Sequence, residues 1–168
     1  MTSNHSIAIM LIFHECITCA FFVNINLMFI LSAKAISLSL SHGNSVYSCI
    51  PYMIFGWLEK ERYGTFDRCF DWGYMGLQLM EEYCKETVRA ERGQVYGIFG
   101  SLITWLKNPL WEDVVYLTKA HKHSVEVGDY AYGCFTSFHL VSIFFAIKPL
   151  HELTTLTQQY VDFMRASK

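Results

Sequence analysis

The chain has 168 residues, of which 52 % are apolar, 16 % aromatic and 17 % charged, and its formal net charge is −2. This length suffices for one domain with a hydrophobic core and is too short for a large multidomain enzyme. We expect no nucleic-acid partner, because nucleic-acid binding normally requires a basic stripe or patch. Charged residues are scarcer than the roughly 25 % typical of soluble domains, so much apolar surface must be covered by a core, a partner or lipid.

Apolar residues recur at helical spacing along the whole chain, which predicts an all-α protein of about eight helices without strands. We expect a turn at 24–26, in which the second asparagine, Asn26, caps the next helix. Pro51 predicts either a kink in the third helix or a start delayed to about Ser48. The expected helices are 6–22, 27–41, a third that ends before Gly64, a fourth capped by Thr65, 88–106, 110–127, a seventh capped by Asp129 and a last that begins near Pro149.

A break between helices returns about every 42 residues, at 43–47, 86–89 and 128–132. Such a period is typical of repeat proteins, in which each helix pair buries its apolar face against its neighbours. We therefore predict stacked antiparallel helix pairs in a single helical-repeat domain over residues 1–168. The final residues end the last helix without a cap, which predicts a fragment of a larger protein.

Charge is almost absent from the first 58 residues, where Glu15 and Lys34 are the only permanently charged side chains. Residues 7–20 and 27–40 are therefore candidates for a helical hairpin in a membrane. Neither run reaches the roughly 20 clean apolar residues that a span requires, because His14 and Glu15 interrupt the first, while serines and Lys34 give the second a polar side. We favour buried repeat helices in a cytoplasmic protein, and the membrane hairpin in residues 7–40 is the alternative.

Cys16 and Cys19 have the spacing of a metal-ligand or redox pair, but a structural zinc site needs a second pair of ligands. We interpret them as two core cysteines on one helix face, and the remaining cysteines as reduced, buried thiols of a cytosolic protein. His121 and His123 are two residues apart, a spacing that does not face one direction on a helix. We predict no metal site and no cofactor.

The charge clusters 59–62 and 81–82 lie where helices are expected to end, and we interpret them as solvated. Gly93, Gly97 and Gly100 follow no strand and precede no Lys-Ser or Lys-Thr pair, so they do not form a phosphate-binding loop. Close approach of a neighbouring helix explains these glycines, and it explains Gly73 and Gly76 in the fourth helix. No residue is assigned a catalytic role.

Large aromatic side chains are the remaining candidates for function. Concave repeat surfaces bind partners, and tryptophan and tyrosine are enriched among the residues that dominate binding energy. Large aromatics also supply much of the burial in small repeats, and we favour this core role. The candidate partner-binding surface consists of Trp57, Trp72, Trp105, Trp111 and Tyr130.

Four segments in a fixed order give the chain a family resemblance. They are 34–45 (KAISLSLSHGNS), 73–79 (GYMGLQL), 105–110 (WLKNPL) and 126–132 (EVGDYAY). Over residues 31–160 the chain resembles the tetratricopeptide-like helical domain of very large signalling proteins. Those proteins join a serine/threonine-kinase-like domain, an AAA-type ATPase, this helical region, a GAF sensor domain and a histidine kinase.

The resemblance implies a tetratricopeptide-like right-handed solenoid that lies between the ATPase and sensor domains of a hybrid signalling kinase. No catalytic residue is carried over, because the chain has no Walker A loop, no His-Arg-Asp or Asp-Phe-Gly kinase motif and no phosphoacceptor-histidine box. We expect a non-enzymatic scaffold or interaction module that contacts protein partners or neighbouring domains of the same polypeptide. Its terminal helices should expose apolar surface and self-associate, since end repeats normally need polar caps.

Overall fold

The computed structural model describes residues 4–84 and 90–167, and within these residues the chain is all-α without strands, as predicted. The predicted break at 86–89 lies outside the described residues. The eight α-helices are α1 (Asn4–Val23), α2 (Ile25–His42), α3 (Cys49–Tyr63), α4 (Phe66–Tyr83), α5 (Ala90–Ile98), α6 (Leu110–Glu126), α7 (Tyr130–Ile147) and α8 (Leu150–Ala166).

Side-chain caps explain the starts of two helices, α2 and α7. Asn24 caps α2, because its side-chain oxygen accepts hydrogen bonds from the backbone N–H groups of Asn26 and Leu27 at 3.0 and 3.2 Å. The prediction that Asn26 caps this helix was wrong. Helix α2 begins at Ile25, so Asn26 lies inside its first turn. Asp129 caps α7 as predicted, with its carboxylate accepting from the N–H of Tyr132.

The start of α3 is delayed, which confirms one of the two outcomes expected from Pro51. A 3₁₀ turn (Val46–Ser48) precedes the helix, so the proline lies in the first helical turn, where a missing N–H leaves no hydrogen bond broken. The Ser48 hydroxyl accepts from the N–H of Ser45 at 3.0 Å and lies 2.8 Å from the hydroxyl of Ser39. This pair of buried serines ties the turn to α2.

The fifth predicted helix, 88–106, is helical but not regular over its described part, residues 90–106. After α5 the backbone forms a π turn (Phe99–Ile103) and then a 3₁₀ turn (Thr104–Leu106). The buried hydroxyl of Thr104 donates to the carbonyl of Phe99 at 2.9 Å, and the same carbonyl accepts from the backbone N–H of Thr104. The spacing of apolar residues predicts a helical backbone, but it does not distinguish α-helical from π or 3₁₀ geometry.

Two compact units divide the chain, Met1–Lys85 and Glu86–Lys168. In the first unit α1 packs on α2, α2 on α3, and α3 on α4. Short connections make these neighbours antiparallel pairs, as predicted. Each of the four helices contributes a methionine without exposed surface to the core of this unit: Met10, Met28, Met53 and Met80.

In the second unit α5 packs on α6, α6 on α7, and α7 on α8. The last three helices share one apolar cluster. Its buried members are Leu117, Leu140, Phe144 and Leu153, and Val114, Ile143, Leu156 and Tyr160 pack around them.

Glycines mark the closest approaches between helices, as expected from the sequence. A Cβ atom added to Gly76 would lie 2.6 Å from the carbonyl oxygen of Cys49, and one added to Gly93 would lie 2.5 Å from the hydroxyl of Ser124. Both distances are shorter than van der Waals contact. The absence of a side chain therefore allows α4 to approach α3 and α5 to approach α6.

Candidate interaction surfaces

Trp57 joins three helices of the first unit. Its half-buried ring in α3 lies 6.3 Å from the ring of Phe21 in α1 and 5.7 Å from the ring of Phe29 in α2, measured between ring centroids. Its indole N–H donates to Glu61 at 3.0 Å. These contacts fasten the α1–α2 pair to α3 and give this tryptophan a structural role.

Trp72 has a second, separate set of partners. Its ring stacks on Tyr52 at 5.7 Å, and its indole N–H donates to Glu59 at 3.1 Å. The same carboxylate oxygen lies 3.2 Å from Nε of Arg68. The expectation that the whole cluster 59–62 is solvated was therefore wrong for Glu59, whose side chain is only 12 % exposed.

The other three candidate aromatics lie in the second unit and are exposed. Trp105, Trp111 and Tyr130 have exposed fractions of 45 %, 59 % and 51 %. The two tryptophans flank the turn before α6, whereas Tyr130 begins α7, beyond the other end of α6. A helix of this length separates its two ends by about 24 Å. These three residues are therefore exposed at two different places, and the core role favoured from the sequence was wrong for them.

Asn44 lies in the loop between α2 and α3 and accepts two hydrogen bonds from tyrosine hydroxyls. Its side-chain oxygen accepts from the hydroxyl of Tyr52 at 3.0 Å, and its backbone carbonyl accepts from the hydroxyl of Tyr83 at 2.9 Å. Burial raises the pKa of both phenols above 10, so both remain protonated donors at neutral pH. One loop residue therefore connects α3 with the end of α4.

The cysteines are distributed differently from the prediction. Cys16 and Cys19 are exposed on α1, so their interpretation as core residues was wrong. Cys49, Cys69 and Cys84 are buried, as expected, and burial raises the pKa of the Cys69 thiol to about 11. Among residues 4–84 and 90–167, no three histidine, cysteine or acidic side chains are arranged to hold a metal ion.

His121 and His123 face different helices, as their spacing predicts. The Nδ1 atom of His121 lies 3.2 Å from the hydroxyl of Ser137 in α7, and its ring meets Phe163 of α8 edge-on at 4.7 Å. The ring of His123 instead stacks on Tyr96 of α5 at 5.9 Å. Burial lowers the pKa of His123 below 6.5, which favours its neutral form.

Asp113 is the most unusual ionisable group in the second unit. It lies in the first turn of α6 with 1 % of its surface exposed, and its Oδ1 atom has no hydrogen-bond partner among the described residues. Burial, followed by the negative charge of Glu112, raises the pKa of this carboxyl from 3.8 to about 7. The sequence did not reveal it, because acidic residues in a first helical turn are usually solvated and favourable there.

The α1–α2 pair carries the largest run of exposed apolar side chains in the first unit, which we call the hairpin surface. A shallow groove of about 540 Å³, lined by residues of both helices, shares Ile30 with this surface, and Lys34 is the only charged residue in the groove lining. The hairpin surface consists of Leu11, Ile12, Phe22, Val23, Ile25, Leu27, Ile30 and Leu40.

Three of the described helices are long and apolar enough to cross a membrane by length and composition. They are α1, α2 and α7, with mean hydropathies of 2.0, 1.3 and 1.4. Both N-terminal helices extend beyond the apolar runs 7–20 and 27–40 that the sequence indicated. The length of α1 and α2 therefore does not argue against a membrane hairpin. The sequence analysis did not identify α7 as a candidate membrane span.

The chain is similar to part of one curated signalling protein. It is 24 % identical over 144 residues to hybrid signal transduction histidine kinase G of Dictyostelium discoideum. The similar region covers 84 % of this chain and only 4 % of the kinase. No family model matches the chain, and no solved structure matches it. The similarity therefore connects an all-helical chain with a small part of a signalling protein.

Proposed function

We propose that this chain is a non-catalytic helical module of a signalling protein. The observation that carries the proposal is the similarity over 144 residues to a hybrid signal transduction histidine kinase. Because the similar region is only 4 % of that kinase, we assign phosphoryl-transfer chemistry to other parts of such proteins. The module acts as a scaffold, with a tetratricopeptide-like repeat organisation, between neighbouring domains such as an ATPase and a sensor domain.

Protein partners or neighbouring domains are the ligands that this proposal requires. Exposed Trp105, Trp111 and Tyr130 support it, since such side chains supply large contact area and a polar group for hydrogen bonding. Trp57 and Trp72 serve this function indirectly, by holding the helices of the first unit together.

A replacement experiment in the similar kinase tests the scaffold role. The matched segment of hybrid kinase G is exchanged for this chain, or for a flexible glycine-serine linker of equal length. We expect the chimera to retain at least half of the autophosphorylation rate and the linker version to lose most of it. A chimera that behaves like the linker version would contradict the proposal. So would phosphate incorporation into this chain incubated alone with labelled ATP.

A membrane protein with a helical hairpin in residues 7–40 is the second candidate, and the apolarity of α1 and α2 favours it. The position of two charges argues against it. Glu15 and Lys34 lie nine and ten residues from Asn24, or about 14 and 15 Å along their helices. In a spanning hairpin both charges would lie near the bilayer centre, where each costs roughly 2.5–3.5 kcal/mol on insertion scales. We therefore propose a cytoplasmic location for the module.

Expression without detergent separates the two candidates. We expect a soluble, strongly helical protein, because the charged midpoints of α1 and α2 disfavour insertion. Circular dichroism measures the helix content, and centrifugation measures the fraction that remains in solution. Recovery of the chain only from the membrane fraction would overturn the cytoplasmic scaffold in favour of the hairpin.

A further inference from the structure

We propose that the hairpin surface binds a second copy of this chain, with Glu15 of each copy opposite Lys34 of the other. This association does not depend on the signalling role. The charged pair sets the register in which the two copies meet.

The charges of the hairpin are complementary to themselves. Glu15 and Lys34 are the only permanently charged side chains in the first 58 residues, and both are exposed. They lie at nearly equal distances from the turn at Asn24, on adjacent antiparallel helices. Neither forms an ion pair with another described residue. A two-fold axis that runs between the two helices at the interface therefore places Glu15 of each copy opposite Lys34 of the other.

The exposed area is large enough for a stable dimer. A hairpin of two helices about 30 Å long, with axes about 9 Å apart, presents a face of about 30 by 18 Å. Two such faces bury on the order of 1,100 Å² together, above the roughly 1,000 Å² expected of a biological interface. Exposed side chains such as Ile12, Phe22 and Ile30 supply the apolar part of this area.

A second copy explains the pair of charges better than lipid does. In a bilayer both groups would lose water without gaining a partner, whereas in a two-fold dimer each faces an opposite charge. Such pairs also suppress other registers, because a shifted arrangement leaves the charges unpaired in an apolar interface.

Charge reversal tests the pairing in the full chain. We expect a dimer by sedimentation equilibrium, and a dissociation constant at least about tenfold weaker for Glu15→Lys and for Lys34→Glu. The double variant restores opposite charges and should return to within about threefold of the original. Glu82→Lys reverses an exposed charge on α4 and should change nothing. Single variants that match this control would overturn the pairing.

The exposed thiols of α1 provide a local measurement. Cys16 lies one turn beyond Ile12, and Cys19 one turn before Val23, so association should cover both. We expect maleimide to modify them at least threefold more slowly in the dimer than in dilute monomer, while half-buried Cys134 reacts equally in both. If the maleimide modification rates of Cys16 and Cys19 are the same in the dimer and the monomer, the dimer interface lies elsewhere. A monomer that floats with phosphatidylcholine vesicles would show that lipid covers the surface. Either result overturns the proposal.

Discussion

Asp113→Asn is expected to remove a large pH dependence from the stability of the second unit. The folded carboxyl keeps its proton up to about pH 7, whereas an unfolded aspartate ionises near 3.8. Between these values the folded state binds the extra proton, so the free energy of unfolding falls as the pH rises and levels off above about 7. The raised pKa corresponds to on the order of 4 kcal/mol across this range.

Urea unfolding at several values between pH 4 and 8 measures the effect. Asparagine has nearly the same shape and no charge, so the variant should be more stable than the original chain above pH 7 and lack most of its slope. Asp162→Asn, at an exposed position of α8, is the control and should leave the slope unchanged. If Asp113→Asn retains the original slope, the pKa of the Asp113 carboxyl is not raised in the folded chain, and the pH dependence comes from another group.

Removal of α8 (Leu150–Ala166) is expected to loosen α7 most and the first unit least. Leu153, Leu156 and Tyr160 of α8 cover Leu140 and Phe144 of α7. Truncation of one buried leucine alone costs about 2–5 kcal/mol, so we expect hydrogen-exchange protection in α7 to fall at least a hundredfold. In a repeat protein each helix pair is stabilised chiefly by its neighbours, and the loss should decrease along the chain.

Hydrogen exchange followed residue by residue tests this gradient. A chain shortened only after Arg165 is the control, because it keeps every contact of the apolar cluster. Equal loss of protection in α1 and α7 would contradict a repeat organisation and indicate one cooperative domain. Unchanged protection in α7 would show that α8 contributes little to the second unit.

Helix positions were predictable because they depend on local chemistry. Gly64 and Gly128 have φ angles of +67° and +76°, which glycine adopts without strain, and both follow predicted helix ends. The π turn at Phe99–Ile103 was not predictable. It depends on which carbonyl the Thr104 N–H and hydroxyl reach, and apolar spacing carries no information about that choice.

The candidate surfaces were less predictable than the helices because burial depends on which helices meet. Cys16 and Cys19 lie in an apolar segment, and apolar composition suggested a core, but no described helix covers that side of α1. Glu59 is at a predicted helix end, yet Trp72 and Arg68 of the next helix enclose it. Both differences arise from contacts distant in sequence, which spacing within one segment does not reveal.

The π turn has a consequence for chain length. A π turn contains one residue more per hydrogen-bonded ring than an α-helical turn, and deletion of one residue between Phe99 and Ile103 would return this turn to α-helical geometry. The deletion would rotate Trp105 by about 100° relative to Gly93 and Gly97, which contact α6 and α7. Related chains can therefore gain or lose one residue here without losing a helix, and each such change alters the direction in which the exposed tryptophan points.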